Sequence, residues 1–83
     1  DGSMMVVSFN ITYPLKSDVY IYSVDDELFV KHLTVVHQDE KGRMVRLMAS
    51  SQNPANPPII IDLTQDRDFR AIGRVVTVIT DLG

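Results

Sequence analysis

The stretch Ser17-Asp18-Val19-Tyr20-Ile21-Tyr22-Ser23-Val24-Asp25-Asp26-Glu27-Leu28-Phe29-Val30-Lys31-His32-Leu33 decides how this chain is read. Residues 19–24 are β-branched and aromatic, types that fit a pleated, half-buried surface. Asp25-Asp26 interrupts them with a short acidic turn, and residues 27–36 resume the apolar pattern. Two such runs around a two-residue turn read as a β-hairpin.

Working outward, residues 37–42 are polar and close on Gly42, a second hairpin-like turn. Residues 43–49 form a further strand, which pairs most simply with the one before it. On the N-terminal side, residues 4–11 form a first apolar segment, ended by the breaker Tyr13-Pro14-Leu15-Lys16-Ser17. On the C-terminal side, Pro54, Pro57 and Pro58 exclude a helix or central strand in residues 50–58, which read as an ordered loop. Residues 59–63 are a short apolar strand, residues 64–68 are polar, and residues 71–82 are a last strand, valine-rich, long and apolar enough to be an interface edge that pairs with a second copy. No segment has a 3.6-residue period and no repeat is present. The expected fold is all-β: one domain over residues 1–83, a twisted, partly closed sheet of about five to six strands.

A chain of 83 residues supports one domain of modest core, so its stability is marginal without help. With no cysteine, neither a disulfide nor a thiolate metal site supplies that help, and oligomerisation is the remaining device. Absence of cysteine fits a reducing, cytoplasmic setting. The net charge of −3 is spread along the chain, and Arg43, Arg46, Arg70 and Arg74 lie on different segments with acids between them. That is not the basic stripe of a nucleic-acid binder. The apolar runs Met4-Met5-Val6-Val7 and 57–61 are far short of a membrane span, and no leader pattern opens the chain. The start Asp1-Gly2-Ser3 is not a natural initiation, which suggests a fragment, a processed product or residual tag.

Lys31 stands out chemically. In a strand alternate side chains share a face, so Leu28, Val30, His32 and Thr34 share one face, and Phe29, Lys31, Leu33 and Val35 the other. Lys31 thus sits in an apolar row, where burial penalises an ammonium. A lysine so placed either reaches solvent along its own stem or loses its proton and becomes a candidate general base.

The 17–33 stretch resembles the core of the LexA, UmuD and phage-repressor C-terminal domains, the S24-type serine–lysine self-cleaving peptidases. There a Gly-Asp opens a hydrophobic strand, an acidic-glycine-acidic turn follows, and the next strand ends in Val-Lys-Arg/Lys-Leu. Here Ser17 replaces the first glycine, Asp26 the turn glycine and His32 the basic residue after the lysine. Asp1-Gly2-Ser3 and the apolar residues after it resemble the family's Asp-Gly-Asp/Ser segment. Asn53-Pro54-Ala55-Asn56-Pro57-Pro58-Ile59 resembles its Asn-Pro-x-x-Pro-Ile loop, and Gly73-Arg74-Val75-Val76 its closing strand. The four pieces occur in the family's order over almost the whole chain.

The resemblance implies that Lys31 holds the position of the lysine that takes a serine's proton, activating an otherwise weak nucleophile. It places that serine, in a Gly-x-Ser-Met motif, ahead of Asp1. Ser3-Met4 is not a substitute, because Ser3 runs straight into a strand and reads as part of the Asp-Gly-Ser turn. The expected role is self-association and regulation in a LexA- or phage-type repressor. This piece alone is inactive, and the intact parent is a candidate autopeptidase. Implied partners are a second copy of the chain and the RecA filament, with DNA met only through an upstream helical domain. A UmuD-like polymerase accessory protein and an unrelated small β-barrel interaction module are the alternatives. No cofactor or metal is expected. His32 and His37, with Asp39 and Glu40 nearby, read as surface histidines; Asp25, Asp26 and Glu27 as a solvated turn; and Asp62, Asp66 and Asp68 lack the pattern of a calcium loop. Gly73 inside a valine-rich strand marks a bulge or a close backbone approach.

Overall fold

A computed structural model describes residues 3–51, 53–65 and 67–80. Those residues contain six strands and no helix: β1 (Ser3–Ser8), β2 (Asp18–Val24), β3 (Glu27–Gln38), β4 (Met44–Ser50), β5 (Ile59–Asp62) and β6 (Phe69–Thr80). They form one sheet in the order β1-β6-β2-β3-β4-β5, antiparallel at every pairing.

The hairpin read from the sequence is present, with β2 and β3 in register from Asp18↔Leu33 to Val24↔Glu27. Its two turn residues, Asp25 and Asp26, have φ of 51° and 70°. This is the left-handed geometry that a two-residue hairpin requires and that aspartate tolerates better than most non-glycine residues. The second turn is organised by Asp39, whose carboxylate accepts the backbone N–H groups of Lys41 and Arg43 at 2.9 Å each. Gly42 supplies the positive φ of 79°. The proline-rich segment is a loop, as expected; its turn is closed by Asn56 N–H donating to the Asn53 carbonyl.

The core lies on one face. Tyr20, Tyr22 and Val24 alternate along β2, and Leu33, Leu47, Ala49 and Ile61 continue the layer across β3, β4 and β5. The "breaker" between β1 and β2 contributes Leu15, which is buried against this layer. Its backbone N–H contacts Met44 Sδ at 3.4 Å. The opposite face leaves Leu28 and Val30 exposed, so the two faces of β3 separate as the alternation predicts.

The sheet is an open ladder with β1 and β5 at its ends, but it cannot be flat. Asp62 pairs at the level of Arg46 and, through it, His37, whereas Phe69 pairs at the level of Val24 and Glu27. On a flat sheet these points would be separated by roughly 19 Å across the strands and 30 Å along them. Seven residues span only about 25 Å. The strand connection therefore requires the sheet to curl, which brings β5 over the core face. The crossing is fastened at the β2–β3 turn. Asp25 N–H donates to the Asp68 carbonyl, and Asp68 N–H donates to Asp25 Oδ1, both at 2.9 Å.

The last strand corrects one expectation. Its described extent is residues 69–80, with residues 81 and 82 outside the described part, and it is not a free interface edge. It lies between β1, which it meets through residues 74–80, and β2, which it meets through residues 69–74. A strand apolar on both faces suits the inside of a sheet better than its rim. Gly73 shows both features expected of it. A bulge lies beside it at the β2–β6 register shift. A Cβ placed on it would come 2.3 Å from Val7 Cγ1.

Candidate functional site

Lys31 lies on the core face of β3 between Phe29 and Leu33, opposite Tyr20 of β2. It is half-buried, and no charged residue is fully buried among the described ones. Its ammonium lies 5.9 Å from the centroid of the Phe29 ring, at the outer reach of a cation–π contact worth about 0.5–1 kcal/mol when exposed. Phe29 in turn stacks on Tyr22, centroids 5.3 Å apart and planes 21° from parallel. Of the two outcomes open to a lysine in an apolar row, the geometry shows the first: the side chain runs beside an aromatic ring to an opening. That opening is a cleft of about 130 Å³ between Phe29, Tyr22 and the β5 residues Ile59 and Ile61.

Among the described residues the arginines are paired with carboxylates and the three lysines are not. Each of the five arginines pairs with an aspartate: Arg43 with Asp39 at 2.7 Å, Arg70 with Asp68 at 3.0 Å, Arg74 with Asp18 at 3.3 Å, Arg67 with Asp25 at 3.5 Å and Arg46 with Asp62 at 3.7 Å. These exposed pairs contribute roughly 0–1 kcal/mol each, but they cancel the local charge and explain why the arginines form no basic patch. Lys31 has no carboxylate partner and no hydrogen-bond acceptor among the described residues.

No serine among the described residues completes a serine–lysine pair. Ser3 pairs with Thr80 at the far end of the β1–β6 ribbon. The lysine's own level on β6 is Arg74, through Tyr20. Six residues of strand separate the two levels, roughly 20 Å along β6. Ser3 is therefore not the partner, as its place at the start of a strand implied; Asp1 and Gly2 lie outside the described residues. Ser50 pairs with His32 on β4, which brings Ser51, one residue further on, level with Lys31. No local pattern hints at this neighbour, because it follows only from the β3–β4 register. The Ser51 hydroxyl accepts the Asn53 N–H at 3.2 Å and has no hydrogen bond to the lysine.

The remaining candidates do not converge. His32 is on the other face, its Nε2 3.4 Å from Ser17 Oγ, which also meets Thr34 Oγ1 at 3.0 Å. His37 borders the β3–β4 turn with Asp39 and Glu40. Among the described residues no three histidine, cysteine or acidic side chains group as metal ligands. Asp62 accepts from the Thr64 hydroxyl at 2.6 Å, and that bond with the Thr64 N–H holds its carboxyl below the usual range. Asp68 is used by Arg70, and Asp66 lies outside the described residues. Burial pushes the Tyr22 phenol up and is also the main cause of the rise at Tyr20, whose hydroxyl donates to the Lys16 carbonyl at 2.9 Å.

A curled antiparallel sheet with a lysine at the rim of its core, unpaired with any carboxylate among the described residues, defines a small all-β domain. The chain belongs to the Peptidase S24-like family, whose model matches residues 1–76. Neither the curated proteins nor the solved structures give a match. No helix among the described residues is long and apolar enough to cross a membrane.

Proposed function

We propose that this chain is the self-association and regulatory part of a LexA- or phage-type transcriptional repressor. Lys31 occupies the general-base position, and the nucleophilic serine comes from residues outside these 83. The observation that carries self-association is the β1 end of the sheet. Met4, Met5 and Val6 are consecutive and stand 59%, 47% and 43% exposed, on a strand paired on one side only among the described residues. An unpaired apolar edge invites a second copy. A two-fold dimer carrying two DNA-binding heads matches a two-fold operator and gains from effective concentration. In this reading the heads lie in an upstream helical domain, the setting is cytoplasmic, and the RecA filament is the partner that promotes cleavage.

Sedimentation velocity tests the association. The expected species has twice the 9.4 kDa mass of the chain, and Met5→Glu returns it to the monomer. A monomer at every concentration overturns the proposal.

A second reading, a serine–lysine autopeptidase of the intact parent, is favoured by Lys31 itself, a lysine beside an opening with no acidic partner among the described residues. In the longer protein Lys31→Ala abolishes self-cleavage without unfolding the domain. Undiminished cleavage removes the lysine from the chemistry. A UmuD-like accessory protein differs by having a short arm upstream in place of a helix-turn-helix.

A further inference from the structure

We infer that the cleft beside Lys31 is a binding site for the C-terminal residue of a peptide ending in an apolar side chain, with the free carboxylate held by Lys31 and Tyr22. The size comes first. An apolar cavity of about 150 Å³ holds a benzene-sized group, so about 130 Å³ takes one valine or leucine side chain. The walls suit that occupant: Phe29, Ile59 and Ile61 provide aromatic and branched surface.

Among the described residues, each polar side chain at the cleft can donate a hydrogen bond. Lys31 and Arg67 carry N–H groups and no acceptor. The third is the hydroxyl of Tyr22. This residue is 2% exposed, and its hydroxyl makes no hydrogen bond among the described residues. Yet no polar side-chain atom there is both sealed from solvent and unpaired, so the oxygen retains an opening, and the cleft is the opening Tyr22 borders. Among the described residues, no carboxylate, amide or imidazole side chain lines the cleft. A rim of two cations and a hydroxyl that can donate, around an apolar hollow, is complementary to an acceptor-only anion attached to an apolar group, and a carboxylate is that anion. Arg67 is shared with Asp25, and Lys31 has no carboxylate partner among the described residues.

A peptide fits better than a free acid because of the wall that β5 forms. Ile59 and Ile61 belong to a strand that pairs with β4 on one side and, among the described residues, with nothing on the other. An extended peptide adds to such an edge through main-chain hydrogen bonds while its last side chain enters the hollow. This site requires neither self-association nor catalysis, so its failure and the failure of the proposed function are separately visible.

The test uses the 83-residue chain, amide chemical-shift titration and three probes: N-acetyl-Ala-Ala-Leu with a free carboxylate, the same peptide as its C-terminal amide, and isovalerate. The acid peptide is expected to saturate, moving the signals of Phe29, Lys31, Ala49 and Ile59 through Ile61, and to bind at least tenfold more tightly than the amide or isovalerate. Lys31→Met, which keeps the stem, loses at least tenfold for the acid and leaves the amide unchanged. Tyr22→Phe loses severalfold with the fold intact. Equal binding of acid and amide, shifts confined to another surface, or no shift at millimolar peptide overturns the inference. Isovalerate binding as tightly as the peptide overturns the peptide assignment in favour of a small free acid.

Discussion

Replacing Gly73 by alanine is the perturbation whose outcome the packing sets most tightly. The added methyl would lie 2.3 Å from Val7 Cγ1, 3.4 Å from the Ser8 carbonyl and 3.7 Å from Phe9 Cδ1. Only the first is a collision. Val7 is β-branched and has little rotamer freedom with which to retreat, so the strain falls on the β1–β6 contact. Overpacking of this kind costs about 1–3 kcal/mol. Gly73 has no positive φ, so the alanine also gains about 0.5–1 kcal/mol by restricting the unfolded chain. The net loss is about 1.5 kcal/mol, which for a domain of this size lowers Tm by about 10 °C. Half-buried Val7 trimmed to alanine in the parent chain costs about 1 kcal/mol. In the Gly73→Ala background the same trim removes the collision and should stabilise. Thermal and urea unfolding of the four proteins reads this sign reversal directly. If Val7→Ala destabilises both backgrounds equally, the close approach is not real and the β1–β6 packing described above is wrong.

Other outcomes follow from particular contacts. Lys31→Met removes an unpaired ammonium from an apolar row, and urea unfolding should show stability unchanged or raised by up to about 1 kcal/mol; a marked loss would mean the ammonium has a stabilising partner. Asp26→Gly relieves a non-glycine residue at φ 70° and should stabilise by about 0.5–1 kcal/mol, seen as a higher urea midpoint at unchanged slope. Asp25→Ala loses the bond from Asp68 N–H that fastens the crossing and should cost about 1 kcal/mol; hydrogen exchange at Asp68 and Phe69 should accelerate first. The Asp39 carboxyl is held below its ordinary 3.8, chiefly by the Arg43 backbone N–H and also by that residue's side chain. A depressed folded value contributes stability above the unfolded value and loses it as pH falls through the folded one. Acid titration of stability should therefore steepen below pH 3.8, and Asp39→Asn, which keeps an acceptor for both N–H groups, should flatten that limb.

Much of the fold is legible in the sequence because the strand period is two. The alternation Tyr20, Tyr22, Val24 fixes one face of β2, the acidic pair fixes the turn, and together they place Lys31 on the core face from local pattern alone. The prolines mark the loop for the same local reason. The strand order is not legible. That β6 inserts between β1 and β2 depends on pairings 45 or more residues apart in sequence, and no local pattern encodes them. Leu15 reads as part of a breaker because its burial comes from packing on β2 and β4, not from its neighbours. The cleft beside Lys31 needs β5 brought over the core by the curl and the Asp25–Asp68 fastening, so Ile59, Ile61 and Arg67 could not be assigned to it from sequence. The arginines show the limit from the other side: counted along the chain they resemble scattered basic charge, and the fold is what pairs Arg46, Arg67 and Arg74 with distant aspartates.

The central claim is that Lys31 is one half of a serine–lysine pair whose serine lies outside these 83 residues. Reading the coding sequence immediately upstream of Asp1 tests it most directly. The account predicts a Gly-x-Ser-Met motif a few codons earlier, preceded by a small-residue linker and a helix-turn-helix. An initiator abutting Asp1, or an upstream segment with no serine in that position, would contradict it and leave an association module whose lysine serves another purpose.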